Sequence, residues 1–263
     1  MTTTPQPESR WKRYWKKYRV WLGGVLTTTV VVPLVAWAAG WTGHWFTGKI
    51  NPEQYISAAV SLPSPAEACT GGEGWVFAKT PQELPVPRVD ENKDAWAATN
   101  GGIPASGNYV AVTVQGLKGH VVVVNSISVD VVSRSEPLRG TYANIVGGCG
   151  GLRPYQFRAG LDANPVSVTA LPDEGFLPEG QEPKRPVDLP HQVTNSEPEV
   201  WHLAAITTSC TCEWTATLNW TSDGKQGRTT ITDHDRPFRV AAVTQATRVD
   251  RQPDGTWVTN PKT

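Results

Sequence analysis

Residues 210–231 read CTCEWTATLNWTSDGKQGRTTI, and their alternation sets the fold class. Trp214, Ala216, Leu218 and Trp220 fall on one face, and Thr215, Thr217, Asn219 and Thr221 fall on the other. A repeat of two residues is the signature of a half-buried strand. Ser222-Asp223-Gly224-Lys225-Gln226-Gly227 supplies turn residues, and Arg228–Thr232 reads as the returning strand of a hairpin. Tryptophans on such a face can stack on sugar rings. Their company of Ala and Leu assigns Trp214 and Trp220 to the core instead.

Outward from the hairpin, runs rich in β-branched residues predict further strands at 74–78, 108–115, 120–133, 153–161, 165–171, 199–208 and 238–243. Within 120–133, Ile127, Val129 and Val131 alternate with Ser128 and Asp130. The stretch 80–107 holds one short helix, with Asp90 as N-cap and Gly101 near the C-cap. Residues 172–198 are rich in proline and acid and read as extended or disordered chain. The expected fold is mainly β: an antiparallel β-sandwich, immunoglobulin-like or related, with a partly closed barrel as runner-up. It spans 69–263 and follows a tether at 43–68.

The first 46 residues differ in kind. They hold six Lys/Arg against one Glu, which leaves 18 basic and 23 acidic residues for the rest. A basic head on a mildly acidic body argues against a nucleic-acid binder. No Asp, Glu, Lys or Arg falls between Arg19 and Lys49, and Val20–Ala39 is mainly apolar. At about 1.5 Å per residue, twenty residues match a hydrocarbon core of about 30 Å. A transmembrane helix is therefore expected at 20–42, with Trp41 and Trp45 in its outer aromatic belt. The basic flank is N-terminal, which places residues 1–19 in the cytoplasm and the body outside, at the plasma membrane. In that flank Trp11 and Trp15 share a helical face with Tyr14 and Tyr18. Lys12, Arg13, Lys16, Lys17 and Arg19 fill the other positions and would meet anionic lipid. Ala36-Trp37-Ala38 offers a signal-peptidase-like site, but the long basic region and long apolar run favour a retained anchor.

Four cysteines, Cys69, Cys149, Cys210 and Cys212, would lie in an oxidising compartment and read as two disulfides. Cys210 and Cys212 sit two apart on one strand. The expectation is that each pairs with Cys69 or Cys149, in either order, rather than with the other. Neither CxxC nor HxxxH spacing is present, and no metal or cofactor is expected. Ser222-x-x-Lys225 fits a penicillin-binding pattern but sits in a turn. Asp90-x-Asn92-x-Asp94 begins like a calcium loop but has Ala95 where glycine is needed. Asp233-His234-Asp235 is the most suggestive group, because a carboxylate-flanked imidazole can bind metal or act as a base. A polar turn before Arg236-Pro237 explains it as well.

The Trp/basic head, the Val/Ala/Thr-rich body, the low lysine content and the hairpin followed by RPFRV resemble uncharacterised membrane-anchored envelope proteins of high-GC Gram-positive (actinobacterial) genomes. The resemblance spans the chain in style, contains no diagnostic motif and implies no activity. The expected function is a non-enzymatic, membrane-anchored extracytoplasmic interaction module, binding another envelope protein or cell-wall material. The alternatives are a sensor accessory acting through a partner and a cell-wall-directed hydrolase using Asp233, His234 or Asp235.

Overall fold

A computed structural model describes residues 52–62, 74–145, 154–172 and 185–260. The chain divides into two units, 1–50 and 51–263, and the second holds every described residue. The expected segments 1–19 and 20–42, with Cys69 and Cys149, lie outside the described residues. Among the described residues no helix is long and apolar enough to cross a membrane.

The second unit is mainly β. In chain order it contains β1 (Ile56–Ser61), β2 (Trp75–Phe77), helix α1 (Lys93–Thr99), β3 (Ile103–Pro104), β4 (Tyr109–Gly116), β5 (Val122–Ser135), β6 (Thr141–Asn144), β7 (Tyr155–Gly160) and β8 (Ser167–Leu171). Then come β9 (His191–Val193), β10 (Glu199–Ile206), β11 (Thr211–Ser222), β12 (Lys225–Ile231), β13 (Phe238–Ala241), β14 (Thr247–Arg251) and β15 (Trp257–Thr259). Three sheets result. The first runs β1-β4-β10-β7-β8, the second β12-β11-β5-β9 with β13 also on β11, and the third β15-β14-β6-β2-β3. Two pairings, β7 with β10 and β6 with β14, are parallel, so the expected all-antiparallel arrangement does not hold throughout.

β11 follows the expected alternation. Trp214, Ala216, Leu218 and Trp220 are each at most 2% exposed, so the tryptophans are core. The turn is tighter than expected. Asp223 and Gly224, with φ of +50° and +70°, form a two-residue connection, and pairing resumes at once with Ser222 opposite Lys225. Positive φ at both central positions is the type I′ geometry that Asp-Gly favours. Gly227 lies opposite Trp220, and a Cβ there would overlap the indole, whose Nε1–H donates to Thr229 Oγ1 at 3.0 Å.

On its other side β11 pairs with β5 along most of its length. The register shifts twice and leaves Asn125 and Val132 unopposed. Each extra residue reverses the inward face. Val122 and Val124 are therefore buried before the first shift, and Val129 after it. The expected alternation at Ile127, Val129 and Val131 describes only the middle of the strand.

Residues 56–61, read as tether, form β1 and pair with β4 over six residues, while Tyr55 and Ile56 are buried. The run ISAAVS is short and alanine-rich, and its pairing rather than its propensity makes it a strand. Within 172–198, residues 191–193 form β9 beside β5; residues 173–184 are outside the described residues. The helix begins later than expected. Asn92, not Asp90, is its N-cap and accepts from Ala95 N–H at 2.8 Å, while Gly101 follows the end at φ +77°.

The expected disulfide pairing is overturned. Cys210 bonds to Cys212, with a Cα–Cα distance of 5.4 Å. Two residues along a regular strand are about 6.8 Å apart. Cys210, however, precedes β11 and belongs to a turn in which its N–H meets Thr207 Oγ1 at 3.3 Å, so the chain is contracted there. Asp162 holds this turn. One carboxylate oxygen accepts from Thr207 Oγ1 at 2.6 Å and Ser209 Oγ at 2.7 Å, and the other from Thr208 N–H and Oγ1, both at 2.8 Å. Desolvation raises its pKa, but the hydrogen bonds together outweigh that and hold it well below the ordinary carboxylate range. A ring closed over three residues removes only about 1.5 kcal/mol of chain entropy. The bond shapes the entry to β11 more than it stabilises the whole.

Gly227→Ala is expected to destabilise the protein by about 1–3 kcal/mol by overpacking Trp220. Gln226→Ala, at an exposed position, should stay within about 0.5 kcal/mol. Urea unfolding of the two variants checks this.

Candidate functional site

A concavity of about 610 Å³ lies where the three sheets converge. β2 and β3 of the third sheet, the start of β4, the start of β11, the β12–β13 connection and β13 all contribute to its walls, with Ala98 of α1 and Leu62 after β1. Trp75 and Tyr109 give it aromatic surface, and Asp94, Glu213, Asp233, Arg236 and Arg239 give it charge.

The β12–β13 connection builds one wall. Ile231 lies opposite Ala216 and Phe238 opposite Trp214, so the six residues 232–237 face the single residue Thr215. β12 and β13 are thus one edge of β11 interrupted by an excursion. The excursion closes on itself: Asp233 N–H donates to Arg236 C=O at 2.8 Å, and Arg236 N–H to Asp233 C=O at 2.9 Å. His234 and Asp235 between them have φ of +50° and +64°. This is again type I′ geometry, but with two residues that bear side chains where glycine or asparagine is usual. A left-handed conformation costs about 1–2 kcal/mol for a residue with a Cβ.

The excursion separates the three residues of the Asp233-His234-Asp235 motif. Asp233 turns toward the groove and accepts from His234 Nδ1 at 2.7 Å and from Arg236 at 3.4 Å. The His234 side chain is 90% exposed, and Asp235 is also exposed. Neither lines the groove. The motif thus forms a polar turn, and of its three residues only Asp233 reaches the groove. Glu213 accepts from Ser133 Oγ at 2.9 Å and faces Arg239 across the β11–β13 pair. Among the described residues no cluster of three or more His, Cys, Asp or Glu is arranged to hold a metal ion.

Behind the groove, Tyr109 stacks on His202 at 3.8 Å between ring centroids and 16° between planes. Burial pushes the His202 pKa down to about 4, so its ring is neutral at pH 7 and serves as a packing surface for the tyrosine. Of the other groove residues, Asp94 stood out in the sequence only as part of a calcium-loop-like run and Trp214 only as core, and most of the rest come from separate stretches that share no motif. Arg236 and Arg239 lie within the RPFRV run, which stood out only as a pattern.

The chain matches no known family model, and no curated protein or solved structure shows significant similarity to it.

Two measurements follow from this geometry. Asp235→Gly relieves a strained position and should stabilise the protein by about 1 kcal/mol, or about 2–4 °C in Tm. For His202 the folded pKa, about 4, lies below the ordinary 6.5, so the unfolded chain binds the proton first. Stability should fall as the pH drops from about 6.5 to about 4, and His202→Phe, which keeps an aromatic ring against Tyr109, should reduce that slope in urea midpoints.

Proposed function

We propose that this protein is a membrane-anchored interaction module of the cell envelope whose groove binds a segment of another envelope protein. The first and second sheets serve as the two layers of a sandwich, touching through Tyr55 on Trp220 and His191 on Trp201. The parallel β7–β10 pair is a departure from the immunoglobulin-like arrangement. The anchor reading draws on the apolar stretch 20–42 and its basic flank. The Cys210–Cys212 bond fits an oxidising, extracytoplasmic setting.

The observation that carries the reading is the excursion 232–237. It interrupts a strand edge and holds two residues in the left-handed region, and its main structural result is a charged wall for an aromatic-lined groove. Bulges and strained turns concentrate where side chains are re-aimed for function. The groove lies near Leu62, at the far end of β1 from Pro52, where the chain enters the unit; six strand residues span roughly 20 Å.

A hydrolase is the second reading, and it draws on Asp233 and Glu213 sharing the groove. It predicts that Asp233→Asn and Glu213→Gln each abolish turnover of wall material, whereas the binding reading predicts no turnover to lose. A sensor accessory would act through residues 11–19. Scrambling them with charge preserved should then abolish its output, and an unchanged phenotype counts against it.

The direct test places p-benzoylphenylalanine at Ala98, on the groove rim, and at Thr230, on the exposed side of β12, in the full chain in its own membrane. Irradiation should join one envelope protein to the Ala98 position and not to Thr230. Equal yields from both positions, or adducts from neither, would sink the reading.

A further inference from the structure

The chain has four cysteines, and Cys210 and Cys212 bond to each other. Within one chain, Cys69 and Cys149 then have only each other as disulfide partners. Both lie outside the described residues, but the two strands that lead to them do not. β2 and β6 pair antiparallel, with Phe77 opposite Thr141, Val76 opposite Tyr142 and Trp75 opposite Ala143. In such a pair, a step back along one strand answers a step forward along the other. Cys69 lies six residues before Trp75, and Cys149 lies six residues after Ala143. The two cysteines are therefore equivalent positions in the register of β2 and β6.

The two strands are in close contact where the described residues end. A Cβ on Gly74 would fall 2.1 Å from the Ala143 carbonyl oxygen, so backbone meets backbone there. Cys69 is five residues before Gly74, and Cys149 is four residues after Ile145. Each cysteine is thus at most about 18 Å along the chain from its strand end. Two thiols on arms this short, leaving adjacent strands, are held within reach of each other. Residues directly opposite in an antiparallel pair have Cα atoms about 4.5 or 5.5 Å apart. Both spacings fall in the range of about 4.4–6.8 Å that a disulfide needs.

We infer that Cys69 and Cys149 form a second disulfide, which ties the chain entering β2 to the chain leaving β6. Each thiol gives up one proton and one electron. The disulfide of an extracytoplasmic thiol oxidoreductase takes them and becomes a dithiol. The bond closes a far longer loop than the ring of Cys210 and Cys212, so it constrains the unfolded chain more. The strand it secures, β2, carries Trp75 of the groove wall. The inference rests on the extracytoplasmic placement proposed above. Its rival is that one or both cysteines bond to a second copy of the chain.

The test maps the disulfides of the full chain, taken from its own membrane with free thiols blocked by iodoacetamide before lysis. Trypsin places Cys69 in residues 50–79, Cys149 in 140–158, and Cys210 with Cys212 in 185–225. Without reductant, mass spectrometry should find the first two peptides joined and neither cysteine alkylated. The chain should run as a monomer in a non-reducing gel. Cys69→Ala combined with Cys149→Ala should lower Tm in lipid nanodiscs by about 10 °C. Alkylation of Cys69 and Cys149 alone, with Cys210 and Cys212 still bonded, would overturn the inference and leave the extracytoplasmic placement standing. Alkylation of all four would overturn both. A bond from Cys69 or Cys149 to Cys210, Cys212 or a second copy would overturn the inference as well.

Discussion

Strand β11 carries pairing on both sides, with β5 along one and β12 then β13 along the other, and the second sheet is assembled around it. Its inward face is sealed from water at Trp214, Ala216, Leu218 and Trp220. Truncating a buried tryptophan costs about 3–5 kcal/mol, and a whole domain is stable by only about 5–15 kcal/mol. Two such side chains on one strand leave little tolerance for a change of phase. A slip of one residue would turn both to the opposite face. The Asp-Gly turn holds that phase at one end, and the Asp162-clasped turn with the Cys210–Cys212 bond holds it at the other.

Both partners of β11 depart from regular pairing. β5 absorbs two extra residues, and the first of them lets one strand bury Val122 and Val124 at one phase and Val129 at the other. On the opposite edge, six residues leave the ladder altogether between β12 and β13. The first irregularity serves packing. The second removes pairing at Thr215 and adds backbone strain at His234 and Asp235, and it leaves charged groups around a concavity. Strands of all three sheets wall that concavity.

Several elements were legible from local pattern. The β11–β12 hairpin, β4, β10 and the short helix each announce themselves through period-two alternation or capping residues. β1, β6, β9 and β14 do not, and their status as strands comes from neighbours far along the chain. Asn92 took the cap from Asp90 because the helix starts at Lys93, a distinction of two residues that composition does not resolve. The disulfide was misjudged for a related reason. Spacing on an ideal strand excludes the Cys210–Cys212 bond, and the turn that shortens the distance depends on Asp162, forty-eight residues upstream of Cys210 in the chain.

The candidate site divides along the same line. Alternation of side chains along a strand is a local property, so the order of residues alone is enough to assign Trp214 and Trp220 to the core and to make this chain mainly β. The groove is not local. Asp94, Tyr109, Glu213, Asp233 and Arg239 come from five stretches, and no spacing rule relates them. Their meeting depends on how three sheets converge and on where each ladder begins and ends. Those are consequences of long-range pairing and register, which exist only once the chain is folded.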